Sequence, residues 1–185
     1  MHPTSIEGYA IVSADGMLAD ANRRMPDGLV VEADQQFFRG GLERAAAVVH
    51  GRHSHEGGER AARRRRLIVT RKVDALAEDP AHPQSLLWNP NGAALDEAWD
   101  RLGAPEGALA VIGGPEVYGL FLDIGYDKFH LSRAARVRIP GGRPVFPEIG
   151  PDRAPEDVLA SRGLKPGPQR VLDQAADVTL VTWSR

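Results

Sequence analysis

The stretch Ala110-Val111-Ile112-Gly113-Gly114-Pro115-Glu116-Val117-Tyr118 constrains the fold more than any other part of the chain. An apolar run rich in β-branched residues ends in two glycines, and Pro-Glu then opens an apolar segment of helical character. The pattern reads as buried strand, tight turn and helix. Glycine lets a backbone approach a ligand closely, and the unsatisfied N–H groups at a helix start favour an anion. A Gly-Gly pair before a helix also occurs as a plain turn, so the rest of the chain must decide. Neither this pair nor any other segment fits G-x-G-x-x-G, which argues against a Rossmann domain.

Apolar segments recur around that motif. Gly8 to Ser13, Ala45 to Val49, Leu67 to Thr70, Ser85 to Trp88, Leu109 to Ile112 and Lys128 to Val137 have strand composition. The spacing predicts helices over Leu29 to Leu42, Ala93 to Leu102 and Pro115 to Leu122. Between them, Leu18 to Gly28 is polar and irregular. Alternation of strands and helices indicates an α/β fold with a mostly parallel, twisted central sheet and helices on both faces. The segment Asp177 to Trp183 is expected to pair antiparallel at a sheet edge. With 185 residues, 1–185 is expected to form a single domain.

Composition narrows the function. A net charge of -2 argues neither for nucleic acid nor for a disordered acidic chain. With no cysteine there is neither a disulfide framework nor a thiolate. The first residues, Met1 to Glu7, lack a basic segment followed by an apolar one, so no signal peptide is read and a cytoplasmic location is expected. No stretch approaches a membrane span, and no membrane partner is expected.

Three places carry chemistry. Asp34 lies within the Leu29–Leu42 pattern, with Val30 and Val31 before it and Phe37 and Phe38 after it at helical spacing. A carboxylate in that apolar stripe has its pKa raised by burial and can hold or relay a proton near neutral pH. At the rim of the stripe it would merely reach water. In Val48-Val49-His50-Gly51-Arg52-His53-Ser54 a strand again meets glycine, now followed by an arginine suited to phosphate and a serine suited to capping. His50, His53 and His55 match no metal-ligand spacing, and no metal site is expected. The run Arg63 to Arg66 reads either as a solvated loop or as a site for a small anion. An aromatic content of 6% and the absence of a stacking motif give RNA little support.

In this order the pieces resemble dihydrofolate reductase over about Tyr9 to Pro147. The resemblance rests on Tyr9 to Leu18, Met25-Pro26, Asp34 four residues before Phe38, Val49 to Ser54, Arg64 six residues before Thr70, Ile112 to Tyr118, Phe129 to Ser132 and Phe146-Pro147. It implies an NADPH-dependent reduction of a pterin, from 7,8-dihydrofolate to tetrahydrofolate. In that family the carboxylate at the Asp34 position holds the pterin ring and promotes protonation of its imine nitrogen, and hydride then passes to the adjacent carbon. Ser132 stands where a hydroxyl supports that carboxylate. Tyr9, Ala10, Phe38 and Ile112 fall at substrate positions, and Arg64 at the clamp for the glutamate carboxylate.

For the cofactor, the resemblance implies Ile11, Leu18, Gly51, Arg52, His53, Ser54, Thr70, Arg71 and Ile112, with Arg52, Thr70 and Arg71 selecting the 2′-phosphate. Gly113, Gly114, Pro115, Glu116, Val117 and Tyr118 would hold the pyrophosphate, with Tyr118 near the nicotinamide. It also implies a cis peptide at Gly113–Gly114, and a mobile loop over Leu18 to Gly28. Three features depart from the family's pattern: Asp27 and Gln35, which make the expected pocket more polar, and the basic segment Arg133 to Gly142. A small-molecule substrate and a monomer or homodimer are expected. The same fold also serves a reductase of a ribosylamino-pyrimidine phosphate in riboflavin synthesis, and a non-catalytic NADPH-binding paralogue would keep only the cofactor pocket.

Overall fold

The computed structural model describes residues 2–53 and 59–185, apart from the side chains of Glu59 and Arg60. Its elements in chain order are β1 (Ser5–Ser13), β2 (Met17–Ala19), α1 (Glu32–Arg44), β3 (Ala47–Gly51), α2 (Glu59–Ala62), β4 (Arg66–Val69), β5 (Leu76–Glu78), β6 (Ser85–Trp88) and α3 (Leu95–Leu102). They continue with β7 (Ala108–Val111), α4 (Pro115–Ile124), β8 (Lys128–Ala134), β9 (Arg143–Pro144), α5 (Pro155–Ser161), β10 (Lys165–Pro166), β11 (Arg170–Asp173) and β12 (Val178–Ser184). The main sheet runs β10-β12-β8-β1-β7-β3-β4-β6-β5, with β11 also on β12. From β8 to β6 every pairing is parallel, while β5 and β12 run antiparallel. This is the expected mostly parallel sheet with an antiparallel C-terminal edge. Among the described residues no helix is long and apolar enough to cross a membrane.

Both faces of the sheet are covered, so its central strands are continuously apolar. Alternate residues face opposite layers. Val48 and Ala110 join Tyr9 and Leu42 under α1, whereas Val49 and Val111 join Trp99, Val117 and Phe121 under α3 and α4. Two glycines in mid-helix, Gly40 and Gly41, cost α1 intrinsic stability. The reason at Gly41 is contact: a Cβ there would stand 2.5 Å from Cε1 of Tyr9.

Several boundaries differ from the sequence reading. The first helix begins at Glu32, not Leu29, because Asp27–Leu29 forms a separate 3₁₀ turn that buries Leu29. Val30 and Val31 therefore precede the helix, with Val31 extended at φ -112° and ψ 122°. The strand expected to reach Val137 ends at Ala134, where the Val137 N–H turns back to the Ala134 carbonyl at 3.2 Å. The irregular segment Leu18 to Gly28 starts inside β2, and Asp20 Oδ1 then ties its turn by accepting from the N–H groups of Asn22 and Arg24. No cis peptide occurs among the described residues, so the one expected at Gly113–Gly114 is absent. That turn is made instead with Gly114 at φ +79°.

The arginine run also finds its explanation here. Arg64 Nη1 donates to the Leu42 carbonyl in the last turn of α1, and Arg65 Nη1 to the Leu102 carbonyl ending α3, both at 2.7 Å. Cations at helix C-termini satisfy leftover carbonyls and complement the dipole. Two arginines of the basic segment that starts in β8 are likewise tied to the fold. Arg133 Nη1 donates to the carbonyls of Ser13 at 3.2 Å and Ala14 at 2.9 Å, and its Nη2 pairs with Glu156 of α5. Arg136 reaches the Ala175 carbonyl at 3.0 Å.

Candidate active site

The carboxyl ends of β3, β4, β6 and β7 open into one cleft of about 960 Å³ that continues between β1, β8 and α1. Crevices outside the carboxyl ends of parallel strands are where α/β sheets bind ligands. One half is lined by glycine turns and cations, chemistry that suits an anion. Gly51, Arg52 and His53 follow β3, Thr70, Arg71 and Lys72 follow β4, and Gly113-Gly114 leads from β7 into α4. Arg52, Arg71 and Lys72 are exposed and Thr70 is buried, its Oγ1 accepting from the Lys72 N–H at 3.2 Å. Pro115 stands at the first position of α4, where a missing N–H costs nothing.

The other half is apolar and holds one carboxylate. Asp34 lies in the first turn of α1 and is half-buried. Phe37 and Phe38, one turn further on, line the same wall with Met25, Leu29 and Ile112. Burial pushes the Asp34 carboxyl above the usual carboxylate range, and a hydrogen bond from Ser132 pulls back against it. Ser132 itself is 2% exposed on β8, opposite Ile11 of β1. Tyr118 is buried at the base, and its hydroxyl donates to the Tyr9 carbonyl. Burial first, and then the charge of Asp34, raises the Tyr118 pKa, so this phenol stays protonated.

The cleft brings together nearly all the residues expected of a site: Tyr9, Ala10, Ile11, Leu18, Asp34, Phe38, Ile112, Tyr118 and Ser132 in one half, and Gly51 to His53, Thr70, Arg71 and Gly113 to Val117 toward the other. Ser54 lies outside the described residues. Arg64 does not line the cleft, being turned to the end of α1. Asp27 is exposed and does not line it either, so of these two departures Gln35 alone reaches the cleft. Sequence reasoning missed His130, Asn89 and Arg143, which also line it. His130 could have been found from its place two residues before Ser132 on the same strand, since alternate strand residues share a face.

Below the wall a second carboxylate anchors β1 to β8. Glu7 Oε2 accepts from the Tyr9 hydroxyl at 3.0 Å and lies 3.5 Å from His130 Nε2, while Oε1 accepts from Ser5 Oγ at 3.1 Å and lies 3.5 Å from Lys128 Nζ. The His130 contact, outweighing burial, and the other donors hold Glu7 at a pKa of about 2. The His130 ring stacks on Tyr9 with centroids 4.6 Å apart, and Phe37 meets it edge-on at 5.3 Å.

No protein-family model matches the chain, and no curated protein does. Solved structures do resemble it. A putative riboflavin biosynthesis protein from Shewanella sp. PV-4 is 16% identical, with a TM-score of 0.68 over 98% of this chain and 99% of that one. A diaminohydroxyphosphoribosylaminopyrimidine deaminase/5-amino-6-(5-phosphoribosylamino)uracil reductase from Thermotoga maritima is 16% identical, with a TM-score of 0.66 over 99% of this chain and 56% of that one. RibD from Acinetobacter baumannii is 15% identical, with a TM-score of 0.68 over 99% of this chain and 58% of that one. The chain thus spans little more than half the length of the latter two. The fold is the dihydrofolate reductase-like fold that these riboflavin-biosynthesis proteins share.

Proposed function

We propose that this chain is an NADPH-dependent reductase of a small substrate carrying a pyrimidine ring. One observation carries the reading: a carboxyl group biased toward its protonated form, Asp34, sits in an apolar wall of a cleft whose opposite half is lined with glycine turns and cations. The residues fit the cofactor. Gly113-Gly114 and the start of α4 suit a diphosphate, and Arg52, Thr70, Arg71 and Lys72 suit the extra 2′-phosphate. When bound, NADPH supplies a hydride.

Reduction of a C=N or C=O bond takes a hydride at carbon and a proton at the heteroatom. Asp34 holds that proton at its carboxyl oxygen, within reach of a ring packed on Phe37 and Phe38. It delivers the proton as the heteroatom gains electron density, and solvent then reprotonates the carboxylate. Ser132 orients the carboxyl and stabilises its ionised form after transfer. The aromatic wall excludes water, so the proton is not lost to bulk solvent.

Two substrates suit this chemistry. The likeness in fold to riboflavin-biosynthesis proteins supports a ribosylamino-pyrimidine phosphate. The placement of Arg64 away from the cleft favours it too, because a folate glutamate would need a clamp there. The Asp34–Ser132 pair beside Phe38 supports a pterin, 7,8-dihydrofolate above all. NADPH oxidation by the purified chain with each substrate in turn decides between them. Binding of NADPH without consumption in the presence of either would instead identify a non-catalytic paralogue.

A further inference from the structure

An ion pair stands at the start of α4. Arg143 opens β9, whose register sets it opposite Ala19 of β2, and its Nη2 donates to Oε1 of Glu116 at 3.1 Å. Glu116 is the second residue of α4, directly after Gly113-Gly114-Pro115, and both side chains line the cleft. Their exposures differ: the Arg143 side chain is 27% exposed and that of Glu116 73%. The arginine is therefore largely covered, while the carboxylate stands largely in water.

Glu116 gains from the positive end of the helix, as acidic residues in a first turn do. That is also where a dinucleotide's diphosphate would lie against the glycine turn, and two anions at one helix start repel each other. An exposed ion pair is weakly held, and this one is a single contact rather than a two-pronged fork. A phosphate can take the guanidinium fork through two parallel hydrogen bonds. Arg52, Arg71 and Lys72 approach the cleft from the ends of β3 and β4, whereas Arg143 approaches α4 from β9.

We propose that Arg143 is the cation that receives the diphosphate bridge of the cofactor, and that Glu116 holds it in waiting and releases it when the phosphates arrive. Glu116 then acts as a stand-in anion that weakens cofactor affinity, not as a cofactor ligand. This rests on the NADPH reading above.

The test is calorimetric binding of the full chain to two ligands: NADPH, and adenosine 2′-monophosphate, which has the 2′-phosphate and no diphosphate. Arg143→Ala is expected to weaken NADPH roughly ten-fold and to leave adenosine 2′-monophosphate unchanged. Arg143→Lys, which keeps the charge without the fork, falls between and guards against misfolding as the cause. Glu116→Gln tightens NADPH a few-fold, more at low salt than at high, and tightens it less once Arg143 is alanine, where only relief of the direct repulsion remains. Wild-type NADPH affinity in Arg143→Ala, an equal loss of both ligands, or weaker NADPH binding in Glu116→Gln overturns the inference. Failure of the wild-type chain to bind NADPH at all overturns the cofactor reading with it.

Discussion

Glu7 and Asp34 are two carboxylates on the same side of the sheet, and the fold treats them in opposite ways. Along the β1–β8 register, Glu7 pairs with Lys128, Tyr9 with His130 and Ile11 with Ser132, so one carboxylate lies at each end of a short ladder. At the Glu7 end, donors from His130, Tyr9, Ser5 and Lys128 outweigh burial, and the group is held ionised with a pKa of about 2. At the Asp34 end, burial outweighs the hydrogen bond from Ser132, and the pKa rises. Chemistry of the side chain does not separate them; the balance of donors against desolvation does. The well-served carboxylate holds strands together, and the under-served one has the character that the proposed proton transfer needs.

That contrast has opposite consequences for stability. Glu7 is an acid whose folded pKa lies below its ordinary 4.5, so its contribution is complete above that value and is lost as pH falls toward about 2. Asp34 is an acid whose folded pKa is raised, so its ionised form burdens the fold at pH values above that pKa.

The largest expected effect falls on Asp34. Asp34→Asn should lower the rate of NADPH oxidation by roughly 10²–10⁴-fold and keep NADPH affinity. It should unfold at the wild-type temperature or above it at neutral pH. A stability loss in thermal unfolding would show that Asp34 behaves like Glu7. Next comes the structural end. Glu7→Gln should lose about 1–3 kcal/mol at neutral pH in urea unfolding, because His130, Tyr9 and Lys128 lose an ionised acceptor and an amide NH2 replaces one of its two oxygens. The difference from wild type should shrink as pH falls below 4.5. If instead the difference is constant with pH, ionised Glu7 is not the anchor.

The seat of Tyr9 tests the same end by packing. Gly41→Ala places a Cβ 2.5 Å from the ring and should cost about 1–3 kcal/mol, read as a lower midpoint in denaturant. The smallest effect belongs to Ser132→Ala. Removing a hydrogen bond worth roughly 1 kcal/mol should raise the Asp34 pKa further, so the fall in rate with rising pH moves to higher pH. A profile that stays in place would mean that Ser132 does not act on Asp34.

The fold was legible where both sheet faces are covered. Runs such as Val48-Val49 and Leu109 to Ile112 are apolar without a break, and glycine marks their ends. It was less legible at α1, where Leu29 to Val31 carries the helical pattern but buries only part of it outside the helix. In the C-terminal third the two long strands, β8 and the antiparallel β12, were legible, and what lies between them was not. Its two-residue strand β10 has no periodicity to show, and α5 spans only Pro155–Ser161.

At the site, glycine turns and Asp34 were readable because each breaks a local pattern. Arg64, expected as a clamp, donates to a helix carbonyl and does not line the cleft, a difference that sequence cannot show. Glu7 escaped notice entirely: its partners at 128 and 130 are brought to it only by strand pairing.

The most direct test is NADPH oxidation by the wild-type chain and Asp34→Asn, followed across pH with a ribosylamino-pyrimidine phosphate and with 7,8-dihydrofolate. The expected result is oxidation that depends on one of these substrates, falls as pH rises through the raised Asp34 pKa, and is lost in the variant. Oxidation with neither substrate, or a variant as active as the wild type at every pH, would contradict the assignment of Asp34 as the proton donor of a reductase.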